Sequence, residues 1–219
     1  MQSNYILEMQ GITKRFPGVV ALENVSFNLM KGEIHALIGE NGAGKSTLMK
    51  ILGGVYIPDE GSIFLENEPV QFHTPRESLA HSISVIYQEF NLVPTLSVAE
   101  NIFLGKELIA KNRLAADRKT MEAEAAKVMA KLGLSNFDCS VWVKHLSVAQ
   151  QQLVEIAKAI YNNAKILVMD EPTAVLSPNE TGLLFKLMRD LRSHGLSIIY
   201  IAHRLSEILA LPDRSTVLR

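Results

Sequence analysis

A single cysteine, Cys139, stands in the chain, so no intramolecular disulfide can form. Charge of one sign is not in excess either: 22 Lys+Arg face 23 Asp+Glu, a formal net charge of -1. No global positive field exists to attract nucleic acid or anionic lipid, which leaves only a local basic patch for such a role. Apolar residues make up 47% of the composition, yet no apolar run approaches the roughly 20 residues that span a bilayer. If the protein works at a membrane, something other than this sequence crosses it. Met1-Gln2-Ser3-Asn4 lacks the basic start and apolar stretch of a secretory signal, and with the lone cysteine this leads us to expect a cytoplasmic location. Internal repeats, low-complexity tracts and Pro/Gly/Ser-rich linkers are also missing. At 219 residues the chain suits one domain, or one with a subdomain.

From Glu33 onward, short β-branched and aliphatic runs alternate with helical patterns, which predicts an α/β fold with a mostly parallel sheet. The clearest strands are Ile34–Ile38, Ser84–Tyr87, Ile166–Met169 and Ser197–Ile201, with a last strand-like run at Ser215–Leu218. Ahead of them, Tyr5–Arg15 and Val20–Leu29 alternate apolar and polar residues, as in a sheet with one wet face, and Lys31-Gly32 reads as a turn. These predict an antiparallel β flank. Between Ser97 and Gly133 the pattern becomes helical: Met121, Ala125, Val128, Met129 and Leu132 share one face, and Arg118, Lys119, Glu122, Lys127 and Lys131 form a solvated one.

The densest chemistry is Gly39-Glu40-Asn41-Gly42-Ala43-Gly44-Lys45-Ser46-Thr47, the G-x-x-x-x-G-K-S pattern between a strand and the helical run Ser46–Leu52. Its glycines let successive N–H groups turn toward phosphate oxygens at the positive end of a helix. Lys45 supplies a mobile charge for β- and γ-phosphates, and the Ser46 hydroxyl a ligand for Mg2+. Asp170 follows the apolar run Ile166–Met169, hence the carboxyl end of a buried parallel strand, where open α/β sheets place their ligands. There it would hold Mg2+ through water. Glu171, next in sequence, is placed to act as base toward the water attacking the γ-phosphate.

Ser147-x-x-Gln150 is a capping box, and the apolar face Leu153, Ile156, Ala157 and Ile160 follows it, so a helix is expected to start at Ser147. Leu146-Ser147-Val148-Ala149-Gln150 resembles the signature motif of ABC ATPases, usually written LSGGQ. With the phosphate loop and Asp170-Glu171, this identifies a resemblance to that family over essentially the whole chain. The resemblance implies a P-loop NTPase (RecA-like) fold with a helical subdomain at about 92–162 inserted in the core, all within one ATP-binding domain over 1–219. It further implies that Phe16 stacks on adenine, that Gln88 senses nucleotide and takes part in the metal site, and that His203 contacts the γ-phosphate. Ser147, Val148, Ala149 and Gln150 would act on ATP held by a second ABC nucleotide-binding domain.

Gln88–Pro94, Val98–Gly105, Gln151–Ala159 and Ile201–Leu205 look like the ATPases of bacterial importers for ribose, galactose, xylose or arabinose. That likeness implies ATP and Mg2+ as cofactors, transmembrane permease subunits as partners, an external sugar-binding protein acting indirectly, and a peripheral place on the inner face of the cell membrane. Such ATPases are usually tandem proteins, and this sequence resembles the first half of one. A soluble ABC ATPase acting in translation or DNA repair is the alternative, disfavoured by the near-neutral charge, so nucleic acid is not an expected partner. Ala149 stands where the general pattern has glycine, and Ser177 where Asp is common. These departures raise a further alternative, a non-hydrolysing regulatory half, against which Glu171 and His203 count.

Overall fold

The computed structural model describes residues 4–109, 116–202 and 204–219. Contacts divide the chain into two units. The first comprises the chain up to Gln88, Ala164–Pro172 and Gly182–Arg219. The second comprises Glu89–Asn163 and Thr173–Thr181.

Two sheets build the first unit. Strands β1 (Tyr5–Phe16) and β2 (Val19–Met30) form the expected antiparallel hairpin, β1 one residue longer at its C-terminal end and β2 one residue longer at each end than the alternation predicts. Pro17 and Gly18 make its turn, which needs the left-handed backbone of Gly18 (φ 80°) and leaves Phe16 paired with Val19 at the tip. Strand β3 (Ile34–Ile38) leads into helix α1 (Lys45–Leu52). Two further strands, β4 (Glu60–Leu65) and β5 (Glu68–Val70), join the antiparallel sheet in the order β2-β1-β4-β5. Sequence periodicity did not single them out: β5 has only three residues, one of them Pro69, and β4 pairs with β1, some 50 positions away. Helix α2 (Pro75–Ala80), capped by Thr74, was likewise not expected.

The second sheet is parallel throughout its five strands. It adds β6 (Ile83–Ile86), β7 (Ile166–Asp170), β8 (Ser197–Ile201) and β9 (Arg214–Val217), in the order β6-β7-β8-β3-β9. Every residue of β7 and β8 is buried, as strands covered on both faces require. Helices α6 (Pro178–Ser193) and α7 (Leu205–Ala210) complete the α/β pattern, and Arg189 Nη2 of α6 donates to the Ala210 carbonyl at 2.6 Å.

The second unit is helical. It contains α3 (Val98–Ile102), α4 (Arg118–Lys131), a 3-10 turn at Val143–His145 and α5 (Val148–Tyr161). The face read from the sequence is the buried one: Met121, Ala125, Val128, Met129 and Leu132 are all in the core. Fully burying five such side chains removes apolar area from water at about 25 cal/mol per Å² and is what holds α4 in place.

Candidate nucleotide site

The loop after β3 turns through a bond from the Ala43 N–H to the Glu40 carbonyl, and Gly44 caps α1. Gly44 sits at φ 91°, and a Cβ there would lie 2.5 Å from the Ala21 carbonyl oxygen, so no other residue fits. Behind it the first turn of α1 presents unsatisfied N–H groups, a ready anion site. Lys45 is buried, and its Nζ donates to the carbonyls of Gly39 (2.8 Å) and Glu40 (3.0 Å), which holds the ammonium over the loop. Ser46 is exposed at the helix start, with Thr47 half-buried beside it. A cavity of about 360 Å³ is lined by the loop residues from Asn41 to Thr47, by Val19 and Ala21, and by Glu171.

Asp170 ends β7, buried and paired in register with Ile201. Tyr87 lies close enough that its hydroxyl is pushed up first by burial and then by the Asp170 charge. Glu171 leaves the strand in a left-handed backbone conformation, φ 50°, rare for a residue with a Cβ and costing about 1–3 kcal/mol. Its N–H donates to the Ile201 carbonyl at 3.2 Å. The strained turn is what redirects the chain so that Glu171 reaches the cavity of the loop.

Phe16 is half-buried and packs edge-on against Tyr56, ring centroids 5.2 Å apart, with Lys14 Nζ 5.6 Å from its centroid. Gln88 is exposed two positions beyond β6. Among the described residues Phe16, Gln88 and Asp170 do not line the cavity itself, which Val19 approaches from the same hairpin as Phe16. His203 lies outside the described residues. No group of three or more His, Cys, Asp or Glu that could hold a metal occurs among the described residues. Mg2+ bound with substrate phosphates needs only one or two protein oxygens. The exposed Ser46 hydroxyl and the buried Asp170 carboxylate are oxygen donors of that hard type.

In the second unit the capping box is present in both directions: the Gln150 N–H donates to Ser147 Oγ (3.3 Å) and the Ser147 N–H to Gln150 Oε1 (2.9 Å). Ser147, Val148 and Gln150 are exposed and Ala149 half-buried. Ser177 caps α6 in the same way, donating to Glu180 Oε2 and accepting from the Glu180 N–H. The apolar face expected for α5 needs correction. Leu153 and Ile160 are only half-buried, whereas Gln152 and Glu155 lie in the interior. Sequence periodicity weighs apolar residues and therefore passed over these two, and Asn101 of α3, which is fully buried. A polar residue set between apolar neighbours, as in Val154-Glu155-Ile156, is a signal that marks Glu155; Gln152 follows Gln151 and Asn101 follows Glu100, so neither carries it.

A family profile described as ABC transporter matches residues 22–174. A ribose import ATP-binding protein of Streptomyces avermitilis is 53% identical over 98% of this chain, and a xylose import ATP-binding protein of Geobacillus kaustophilus is 51% identical over 100% of it. The chain spans 40% and 43% of the length of these two relatives. Among solved structures, a nucleotide-free ATP-binding cassette from an ABC transporter superposes with a TM-score of 0.86 at 30% identity, covering 98% of this chain and 87% of that one. An ADP conformation of another cassette gives 0.86 at 30% identity, covering 99% and 88%.

Proposed function

Because the chain belongs to the ABC transporter family, we propose that it binds Mg·ATP at Gly39–Thr47 and hydrolyses it to drive uptake of a monosaccharide through a separate permease. The observation that carries this reading is the cavity in which Glu171 faces the phosphate loop and the N-terminus of α1. The import of ribose and xylose named for the relatives supports a monosaccharide as the substrate class.

In this reading the N–H groups of the loop bind the phosphate oxygens, and Lys45 exchanges its two carbonyl partners for β- and γ-phosphate oxygens. Ser46 and Asp170 would hold Mg2+, Asp170 through water, with Gln88 as a further residue of the metal site; when bound, the metal would neutralise charge developing on the phosphates. The Glu171 carboxylate accepts a proton from the attacking water, the water oxygen bonds to the γ-phosphorus, and the bond to the β-phosphate oxygen breaks, leaving ADP and phosphate. His203 orients the same water and phosphate. Phe16 carries the adenine by stacking, worth about 1–3 kcal/mol.

Ser147, Val148, Ala149 and Gln150 serve ATP on a second nucleotide-binding domain. The exposure of three of the four and the helix N-terminus behind them support that role. In Ala149 the added methyl sits where close approach to that phosphate is wanted, which lowers the rate without abolishing it. No helix among the described residues is long and apolar enough to cross a membrane. In this reading separate permease subunits cross it, with the ATPase at the inner face and a sugar-binding protein outside.

Reconstitution tests the coupling. In liposomes carrying the permease, ATP hydrolysis is expected to rise when a pentose or hexose and its binding protein are enclosed. Stimulation by RNA or DNA in place of the permease would favour the soluble ABC ATPase of translation or repair.

A further inference from the structure

Helix α5 buries two polar side chains one turn apart: Gln152 is 3% exposed and Glu155 is 7% exposed. A buried acid is a poor device for stability, because an apolar side chain of similar volume packs as well without the cost of desolvation. Its use must therefore be sought in what it holds.

The chain between Gln88 and the start of α3 forms neither helix nor strand, so its backbone N–H groups need partners outside any ladder. Two buried side chains supply partners for two of them, Asn91 and Val93. Asn101 Oδ1 accepts from the Val93 N–H at 2.7 Å, and its Nδ2 donates to the carbonyls of Val93, Leu96 and Ser97. Those bonds fold the segment back on α3. Glu155 does something different: its Oε1 accepts from the Asn91 N–H at 2.7 Å. Asn91 comes three residues after Gln88, and Glu155 belongs to the helix that Ser147 caps. Burial pushes the Glu155 carboxyl up, against the pull of Lys158 and of the Asn91 N–H. Charged or neutral, it keeps an acceptor oxygen for this bond.

We infer that Glu155 is a positioning residue of the hydrolytic cycle, holding the chain that leaves Gln88 against the signature helix so that a displacement of either moves the other. The inference rests on the ATPase reading. Ground-state ATP is held by the loop Gly39–Thr47, which Glu155 does not touch, so cutting the link acts on turnover and spares affinity.

The test compares ATP affinity, kcat, melting and amide exchange at Asn91 in the wild type, Glu155→Leu and Glu155→Gln. Glutamine keeps an acceptor of the same reach, and leucine removes it at similar volume. In Glu155→Leu, kcat is expected to fall about tenfold or more with ATP affinity within about twofold of wild type. Its melting is not lowered, and Asn91 exchanges about tenfold faster or more. Glu155→Gln is expected to restore kcat to within about threefold. Should the leucine variant fail to fold, Asn91→Pro removes the same bond from the donor side, with the same split expected. Wild-type kcat in the link-broken variant overturns the inference. So does a joint loss of kcat, affinity and melting, which makes Glu155 a structural residue only. A wild type that binds ATP without turning it over contradicts the ATPase reading instead, and unchanged Asn91 exchange in Glu155→Leu then overturns the link on its own.

Discussion

Lys45 Nζ donates to the carbonyl oxygen of Gly39 at 2.8 Å, six residues back in its own loop. Together with the bond to Glu40 it ties the two ends of the phosphate loop, so the lysine preorganises the site besides supplying charge. Lys45→Ala is expected to weaken ATP binding by at least about tenfold and to lower the stability of the nucleotide-free protein by about 1–3 kcal/mol. Nucleotide titration and urea unfolding check the two halves, and a stability unchanged from wild type contradicts the preorganising role.

The backbone at Glu171 allows a test that separates strain from chemistry. Glu171→Ala and Glu171→Gly both lose the carboxylate, but only alanine carries a Cβ into the left-handed region at φ 50°. The glycine variant is expected to be the more stable of the two by about 1 kcal/mol, against the usual helix and strand preference for alanine. Both should hydrolyse ATP about 10²–10⁴-fold more slowly than wild type. Equal stabilities in urea would remove the case for strain.

Glu33 anchors the last strand to the rest of its unit. Burial pushes its carboxyl up, but hydrogen bonds from Arg214 and from the Met30 N–H, with the nearby charges of His35 and Arg214, bring it below the usual carboxylate range. A depressed carboxylate contributes stability that is present above the unfolded value, about 4.3, and lost as pH falls through the folded one. Glu33→Gln is expected to cost about 1–3 kcal/mol near neutrality, with the gap to wild type closing below about pH 4. Unfolding curves across that range measure it, and a gap that stays constant down to acid pH argues against the pairing.

Cys139 is buried, and burial first, then the charges of Asp138 and Glu122, push its thiol up to about 11. Two units above an ordinary thiol leave about one hundredth of the thiolate at any neutral pH, before access is considered. Alkylation of the native protein at pH 8 is expected to be at least about 100-fold slower than in denaturant. Comparable rates would place the thiol at the surface.

What the sequence made legible follows from range. The phosphate loop, Asp170-Glu171 and the capping box at Ser147 are local patterns, each complete within a few residues, and the structure builds the loop and that cap. The α4 face was legible because five apolar residues repeat with the helical period. Strands β4 and β5 were not, because what fixes them is pairing with β1 across the chain rather than their own composition. The face of α5 was misread for a related reason: Gln152 and Glu155 take interior positions, and in Glu155 the use is visible only once Asn91 is beside it. The left-handed turn at Glu171, the feature that brings this carboxylate to the loop, leaves no mark in the amino-acid pattern at all.

Hydrolysis by Glu171→Gln is the most direct measure of the central claim, that this carboxylate is the base for attack on ATP held at Gly39–Thr47. The glutamine keeps the shape and the backbone turn but cannot accept the proton. The variant is expected to bind Mg·ATP as wild type does, to accumulate as an ATP-bound associated form, and to turn over about 10²–10⁴-fold more slowly. A wild-type rate in Glu171→Gln would contradict the account.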